Sequence, residues 1–263
     1  MYYHLQQLYQ HRELLGAWTM RTIRARYKQS MVGGLWAILQ PTANAIIFTI
    51  IFTQLVPINT EPIPYIVFSY TALIPWTLLA TGITDMSNTL VENMGLITKI
   101  YFPREVLLMA QLLARLVDFA IATSILLVLI IIYRQQIDFD PIVFLAFPLI
   151  LLIQLALMLG LGLIISSINV FYRDVKHLVT LGLQIWLYLS PIIYPVTRIP
   201  EQYHTLYFLN PMAGILEAYR AVWLYGQWPD SSSLLLSATI SFFLLIFGYF
   251  FFKRVEINFA DVV

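Results

Sequence analysis

The chain has 263 residues, of which 60% are hydrophobic and only 11% are charged, and its formal net charge is +1. Soluble globular domains carry about 25% charged residues, so this composition excludes an ordinary water-soluble protein and indicates an integral membrane protein. The small net charge gives no indication of nucleic-acid binding, and none is expected. The absence of cysteine excludes a disulfide framework, a thiol nucleophile and a thiolate metal site.

The first thirty residues form a basic arm. They contain no compact apolar run followed by a small-residue cleavage site, so we expect no cleavable signal. An apolar helical stripe is followed by four basic residues: Leu5, Leu8, Tyr9, Leu15 and Trp18, then Arg21, Arg24, Arg26 and Lys28. This combination is typical of a helix in the membrane interface with its basic end among anionic headgroups. Two interpretations are open, namely a positive-inside anchor or an element that admits a phosphate-bearing lipid.

Six apolar segments are long enough to cross a bilayer, whose core of ~30 Å requires ~20 apolar residues in a helix. They are Leu35–Val56, Pro64–Thr84, Val106–Tyr133, Ile142–Ile168, Leu178–Tyr194 and Leu234–Phe252. The fifth is the weakest prediction, because its apolar run is short and contains Gln184 and Pro191.

A polar and basic segment, Glu92–Arg104, separates the second and third apolar runs. It is too short for a domain, yet it mixes charge, phenylalanine and proline in a way that a plain connector does not need. We interpret it as a helix along the cytoplasmic surface. Leu96, Ile97 and Phe102 would be available to a groove in a partner protein, and Lys99 and Arg104 to its acidic rim.

The third apolar segment is longer than one span and contains Arg115 and Asp118. A charge at the bilayer centre costs at least ~2.5–3.5 kcal/mol. We therefore expect this helix to begin in the cytosol and to enter lipid near Leu112, so that the two charges pair at i and i+3 near the cytoplasmic edge. The pair is either a local contact at the helix entrance or a contact for an anionic substrate.

An aromatic segment, Pro195–Asp230, precedes the sixth apolar run. Its own apolar run, Met212–Tyr225, is too short to cross the membrane, a length expected of re-entrant or interfacial helices. Glu217 and Arg220 lie one turn apart in it. The aromatic residues are typical of a belt at the lipid–water boundary, or they form a platform that contacts sugar rings.

The distribution of lysine and arginine predicts the orientation. When alternate loops are assigned to alternate sides, one side receives eleven of the fifteen: Arg12, Arg21, Arg24, Arg26, Lys28, Lys99, Arg104, Arg173, Lys176, Lys253 and Arg254. This side is expected to be the cytoplasm and to hold both termini, which requires an even number of spans.

The sequence lacks the motifs of a catalytic or ATP-binding protein. No G-x-x-x-x-G-K-[ST] phosphate loop, no metal-ligand spacing of the four histidines and no paired catalytic carboxylates are present. The glycines at Gly33–Gly34 and Gly160–Leu161–Gly162 indicate close helix packing. An enzyme or a self-powered transporter is therefore disfavoured, and a passive membrane subunit that needs an external motor is favoured.

In its ordered motifs, the chain resembles the membrane subunit of ABC-2 type polysaccharide exporters, which move O-antigen, capsule or teichoic acid chains. The resemblance covers nearly the whole length and rests on an ordered set of motifs. These are Arg26–Tyr27–Lys28 through Gly34–Leu35–Trp36–Ala37–Ile38–Leu39–Gln40–Pro41, Leu96–Arg104, Asn169–Val175, Leu189–Pro195, Asn210–Pro211–Met212 and Phe259–Val263. Each motif is weak alone, but the ordered set is specific.

The resemblance implies an all-α integral membrane protein with six transmembrane helices. Residues 1–32 would be an amphipathic gate helix, and residues 33–263 one transmembrane domain with a coupling helix at about 88–104 and a re-entrant region at about 195–230. It implies a homodimer in the bacterial inner membrane, paired with two ATPase subunits that bind ATP and magnesium, so that no cofactor is expected in this chain. The substrate would be a polysaccharide on an undecaprenyl diphosphate carrier.

Three sets of site residues are predicted. The resemblance assigns the coupling to the ATPase, which we place on Glu92, Asn93, Leu96, Ile97, Lys99, Phe102, Pro103 and Arg104. The candidates for the lipid-diphosphate entrance are Arg21, Arg24, Arg26 and Lys28, and those for the glycan path are Trp36, Arg115, Tyr203, Tyr219 and Trp223. The resemblance implies an aromatic-lined channel and does not assign its individual residues. One alternative is an ABC-2 exporter of drugs or small lipids. Another is an integral membrane transferase acting on lipid-linked sugars, against which stands the lack of clustered acid–base residues.

Overall fold

A computed structural model describes residues 11–28, 33–100 and 102–261. All regular structure within these ranges is helical. Leu5, Leu8 and Tyr9 of the predicted stripe, and Tyr101 of the polar segment, lie outside the described residues.

Ten α-helices follow one another along the described chain. They are α1 (Arg12–Lys28), α2 (Trp36–Ile50), α3 (Tyr65–Glu92), α4 (Met94–Ile97), α5 (Glu105–Ile132), α6 (Phe147–Phe171), α7 (Val175–Tyr188), α8 (His204–Tyr207), α9 (Pro211–Leu224) and α10 (Ser231–Val255). Short turns of tighter or wider helix extend α2 at both ends, precede α6 at Val143–Ala146 and follow α10 at Glu256–Asp261.

Five of these helical segments are long and apolar enough to cross a membrane. They are Gly33–Leu55, Tyr65–Glu92, Glu105–Ile132, Val143–Phe171 and Ser231–Phe259. Each overlaps one of the predicted segments, and the prediction of an all-helical membrane protein is confirmed.

The predicted fifth span, Leu178–Tyr194, is not one continuous helix. Helix α7 has 14 residues and ends at Tyr188, so it is about 21 Å long and shorter than the bilayer core. Its C-terminal end lies close before Pro191, and a residue that precedes proline is sterically disfavoured in the helical region. The chain continues from this point as a buried turn, in which Ser190 and Ile192 are fully buried.

Side chains from other helices satisfy two carbonyl groups of this turn, as buried backbone requires. The phenol of Tyr65 donates to the Ile193 carbonyl at 2.7 Å, and Arg220 Nη2 donates to the Ile192 carbonyl at 3.1 Å. The turn is therefore held by α3 on one side and α9 on the other.

Helix α9 lies in the interior of the bundle, where it packs against α3, α6 and α10. Asn210 caps its first turn, since the Asn210 side chain accepts from the Met212 amide at 3.0 Å, and Pro211 occupies the first helical position. The prediction of a helix too short to cross is confirmed in length, and almost all its residues are buried.

Helices α6 and α10 approach one another through glycine. A Cβ atom added at Gly248 would lie 2.4 Å from the Gly160 carbonyl oxygen, and one added at Gly160 would lie 2.6 Å from the Leu244 backbone. Small residues allow such close backbone contact between membrane helices. The predicted packing role is confirmed at Gly160.

The start of α5 and the end of α10 lie together at one end of the bundle. Lys253 Nζ pairs with Glu105 at 2.9 Å and with Glu256 at 3.1 Å. Arg104 donates to the Glu256 carbonyl, and its guanidinium lies 5.5 Å from the centre of the Phe259 ring. The charge distribution predicts that Arg104 and Lys253 lie on the same side of the membrane, and the structure places both at the same end of the bundle.

Candidate functional site

The main polar feature of the bundle is a cluster of four charged side chains, which we call the charge cluster: Arg26, Asp85, Arg115 and Asp118. They come from α1, α3 and α5. Arg26 pairs with Asp85 at 2.8 Å and with Asp118 at 2.7 Å. Arg115 pairs with Asp85 at 2.7 Å and with Asp118 at 2.9 Å. Each acid therefore contacts both guanidinium groups, and the formal charges of the four residues cancel.

The predicted pair of Arg115 and Asp118 is confirmed, and it is half of this larger cluster. Arg115 also grips Asp85 with two N–H groups, since Nε donates to one carboxylate oxygen at 2.7 Å and Nη2 to the other at 2.9 Å. Such two-pronged contacts are the geometry that guanidinium groups form best with carboxylates and phosphates. Asp85 was not predicted as a site residue. An aspartate that directly follows the predicted span Pro64–Thr84 was the signal that could have identified it.

Tyr27 completes the cluster by donating its phenol to Asp118. Burial, together with this hydrogen bond, raises the pKa of Tyr27 to about 12. The phenol is therefore protonated at physiological pH and stays a hydrogen-bond donor. Through Arg26 and Tyr27, helix α1 is fastened to α3 and α5.

Two cavities lie against the charge cluster. The smaller, of about 100 Å³, is lined by Arg26, Tyr27, Arg115 and Asp118, with Trp36 among its other lining residues. The larger, of about 320 Å³, is a cleft bounded by α2, α3 and α7. Its polar lining consists of Gln40, Thr81, Thr84, Asp85, Arg115, Thr180 and Gln184, beside Trp76.

Helix α7 contributes one polar face to this cleft and leaves another face uncovered. None of its residues is buried within the chain. Thr180 and Gln184, four residues apart, line the cleft. Leu178, Leu181 and Ile185 are more than half exposed, and they follow helical spacing on a second face.

The predicted entrance residues of α1 divide into two groups. Arg21, Arg24 and Lys28 are exposed, whereas Arg26 is turned inward and paired. The Arg21 guanidinium lies over the Trp18 ring, 4.2 Å from its centre. Arg26 therefore differs from the other three predicted entrance residues, because two carboxylates already neutralise it.

The predicted coupling segment has a buried side and an exposed side. Ile97, Phe102 and Pro103 are buried, so the prediction that Ile97 and Phe102 are available to a partner is wrong. The physical reason is that Ile97 and Phe102 pack into the hydrophobic core of the chain, and the neighbouring Arg104 contacts Glu256 and Phe259. The surface that a partner can reach consists of Glu92, Gly95, Thr98, Lys99 and Ile100, with Asn93, Met94 and Leu96 half-buried.

The predicted glycan-path residues do not form one surface. Trp36 is 58% exposed and Tyr203 is 52% exposed, whereas Tyr219 and Trp223 are buried. The Tyr219 phenol donates to Gln154 Oε1 at 2.8 Å, and the Trp223 ring packs edge-on against Phe144, with ring centres 4.8 Å apart. A glycan contact at Tyr219 and Trp223 is therefore contradicted, because both side chains belong to the core.

Comparisons with known proteins point to a single family. A family model described as "ABC-2 type transporter" matches residues 13–224. The chain is 30% identical over 261 residues to the O-antigen export system permease protein RfbA of Myxococcus xanthus, and the match covers 98% of each chain. It is 28% identical over 251 residues to a protein of the same name from Klebsiella pneumoniae, covering 95% of each. It is 25% identical over 238 residues to the polysialic acid transport protein KpsM of Escherichia coli, covering 90% of this chain and 91% of that protein.

Proposed function

The chain belongs to the ABC-2 type transporter family, and from this membership we infer that it is the membrane-spanning permease subunit of an ATP-driven polysaccharide exporter. The relatives named above are export and transport proteins for O-antigen and polysialic acid, so the substrate class they share is a polysaccharide. The protein is a multi-pass transport subunit and not an enzyme. Its motor is a separate ATPase, which binds ATP and magnesium.

The observation that carries the polysaccharide assignment is the polar lining of the cleft at α7. Amide and hydroxyl groups of Gln40, Thr81, Thr84, Thr180 and Gln184 line a space beside long apolar helices. Polar groups cost free energy in a lipid environment unless they meet water or a polar ligand. The hydroxyl groups of Thr81, Thr84 and Thr180 donate to carbonyl groups of their own helices, so a ligand would pair chiefly with the amides of Gln40 and Gln184. Sugar hydroxyl groups would meet these amides, whereas a hydrophobic drug would leave them unpaired. The cleft therefore favours a glycan over the drug or small-lipid alternative.

A second copy of the chain completes the path in this proposal. Helix α7 is not buried by its own chain, and it carries both an apolar face and the polar pair Thr180 and Gln184. Two copies that meet along α7 would bury the apolar face and would shield the polar face from lipid. In this arrangement α7 and the buried turn carry the chain across the inner membrane, and both termini lie in the cytoplasm.

The basic arm admits the lipid carrier in this proposal. Arg21, Arg24 and Lys28 are exposed on α1, where they would attract the phosphate groups of an undecaprenyl diphosphate carrier and anionic headgroups. The charge cluster fastens the same helix to the bundle, so the arm sits beside the polar cleft and not apart from it.

The export proposal predicts that the combined change Thr180→Val and Gln184→Leu lowers surface polysaccharide by roughly tenfold, since two hydrogen-bonding groups are lost. The measurement is surface glycan in cells whose own copy of the gene is deleted, with the amount of membrane-inserted protein recorded. Thr239→Val is the matched control, because Thr239 is exposed on α10 away from the cleft. Undiminished export by the double variant would reject the cleft as the path.

The ATPase contact predicts a second result. Ile100 is 56% exposed in the coupling segment, and Ile100→Asp should weaken association with the ATPase by about tenfold or more, as truncation of a central interface residue does. Co-purification of the two subunits measures it. Leu206→Asp is the control, because Leu206 is 67% exposed at the far side of the chain in this proposal. Equal losses for both variants would show a general effect of the added charge and would contradict the assignment.

A further inference from the structure

The charge cluster satisfies itself internally. Asp85 and Asp118 each bridge Arg26 and Arg115, with the four pair distances between 2.7 and 2.9 Å. The two guanidinium groups are therefore arranged as a pair, and within the described part of the chain their hydrogen bonds and ion pairs all go to Asp85 and Asp118. In this state the site presents no net charge to a ligand.

The position of the cluster is that of a binding site with space beside it. The smaller cavity is lined by Arg26, Arg115 and Tyr27, which supply donors, and by Asp118. The larger cleft is lined by Asp85 and shares Arg115 with the smaller cavity. Each carboxylate thus borders open space into which it can turn and be solvated if it leaves the guanidinium groups.

Stability does not explain why such a cluster is kept. Ion pairs removed from water lose much of their attraction to desolvation, and apolar replacements are often neutral or stabilising. The side chains here are only 14–23% exposed. Arginine pairs are, by contrast, well suited to bind phosphate groups, because the planar fork matches two phosphate oxygens.

We propose that Asp85 and Asp118 are exchangeable caps on a diphosphate-binding site formed by Arg26, Arg115 and Tyr27. An incoming diphosphate takes the place of the two carboxylates on the guanidinium groups, so that anionic charge is exchanged for anionic charge. Because Asp85 then no longer ties Arg26 to α3, the same exchange releases α1 from α3, while the bound diphosphate joins α1 to α5 through Arg26, Tyr27 and Arg115. This assignment rests on the proposed function, since it names the group by which a lipid-linked glycan is recognised.

The test is a binding titration of the full chain, purified with its ATPase in detergent, against inorganic pyrophosphate and farnesyl diphosphate. Removing one cap by Asp118→Asn should tighten binding of both probes about tenfold, the equivalent of one charge-assisted hydrogen bond. Arg115→Gln should abolish it. Glu217→Gln is the matched control, because Glu217 also pairs with an arginine three residues away, at 2.7 Å, but outside the cluster. It should leave binding unchanged.

Three probes, namely inorganic pyrophosphate, farnesyl diphosphate and phosphatidylglycerol vesicles, distinguish the possible sources of the phosphate group. Tighter binding of farnesyl diphosphate than of pyrophosphate supports a lipid-borne diphosphate, and equal binding supports recognition of the diphosphate group alone. Phosphatidylglycerol vesicles that displace farnesyl diphosphate at equal concentration would overturn the assignment in favour of a general headgroup site.

A purely structural role of the aspartates predicts a different result. Asp118→Asn would then lower the unfolding temperature and bind the probes no more tightly than the unchanged chain, which would overturn the proposal. Should Asp118→Asn fail to fold, Asp85→Asn removes the other cap and carries the same expectation. The titration does not use export. A chain that exported no polysaccharide but bound diphosphate more tightly without a cap would therefore reject the proposed cargo and leave the caps standing.

Discussion

Replacing Gly248 with leucine should prevent the chain from accumulating as a folded membrane protein. The added side chain would begin at a Cβ atom 2.4 Å from the Gly160 carbonyl oxygen, which is backbone and cannot rotate away. Alanine alone should lower the free energy of unfolding by about 1–3 kcal/mol, as overpacking does, and leucine should exceed that range. Helices α6 and α10, which pack extensively on each other, would have to separate.

The measurement is thermal unfolding in detergent, with the amount of inserted protein recorded for each variant. Gly16→Leu is the control, because among the described residues no atom outside the local backbone of its own helix lies within 4 Å of a Cβ built at Gly16. We expect this control to unfold at the temperature of the unchanged chain. A Gly248→Leu protein as stable as the control would show that α6 and α10 do not pack through these glycines.

Replacing Arg220 with methionine should have the second large effect. Arg220 is fully buried, pairs with Glu217 at 2.7 Å and donates to the Ile192 carbonyl at 3.1 Å. Its guanidinium also lies 3.6 Å from the centre of the Phe68 ring. Loss of two charge-assisted hydrogen bonds and a desolvated cation–π contact should lower the free energy of unfolding by at least about 3 kcal/mol. Export should fall with it, because the buried turn after α7 loses its support.

Arg198→Met is the matched control, since Arg198 lies in the same segment, Pro195–Asp230, but is exposed. Its effect should stay within about 0.5 kcal/mol, as for most surface substitutions. Arg220→Lys should be intermediate, because lysine keeps the charge and loses the planar fork. If the Arg220→Met and Arg198→Met proteins had the same free energy of unfolding, the supporting role of Arg220 would be contradicted.

The sequence predicts those features that depend on neighbours along the chain. Five spans follow from apolar length, and the contact of Arg115 with Asp118 follows from a separation of three residues on one helix. The other half of the charge cluster joins Arg26 to Asp85 across 59 residues. No local pattern encodes that pairing, so it required the packing of α1 on the bundle.

The two main errors concern apolar residues whose neighbours were unknown. Phe102 is apolar beside charges, a pattern that suits a surface for a partner as well as a place in the chain's own core, where it lies. Tyr219 and Trp223 suit a sugar platform or a core, and Phe147 from another helix decides it, since its ring centre lies 5.4 Å from that of Trp223. Aromatic composition alone does not distinguish these alternatives.

The contacts of Arg104 and Glu105 at the start of α5 determine when, during synthesis, the coupling segment can reach its final structure. Glu105 and Arg104 find their partners 148 and 152 residues further along the chain, at Lys253 and at Glu256. Until the ribosome has translated the chain past Phe259, Arg104 and Glu105 at the end of the coupling segment therefore lack these partners. If the coupling segment is the contact for the ATPase, as proposed above, that contact reaches its final structure only after α10 has been synthesised. Association with the ATPase would then report that the permease has been made through that helix.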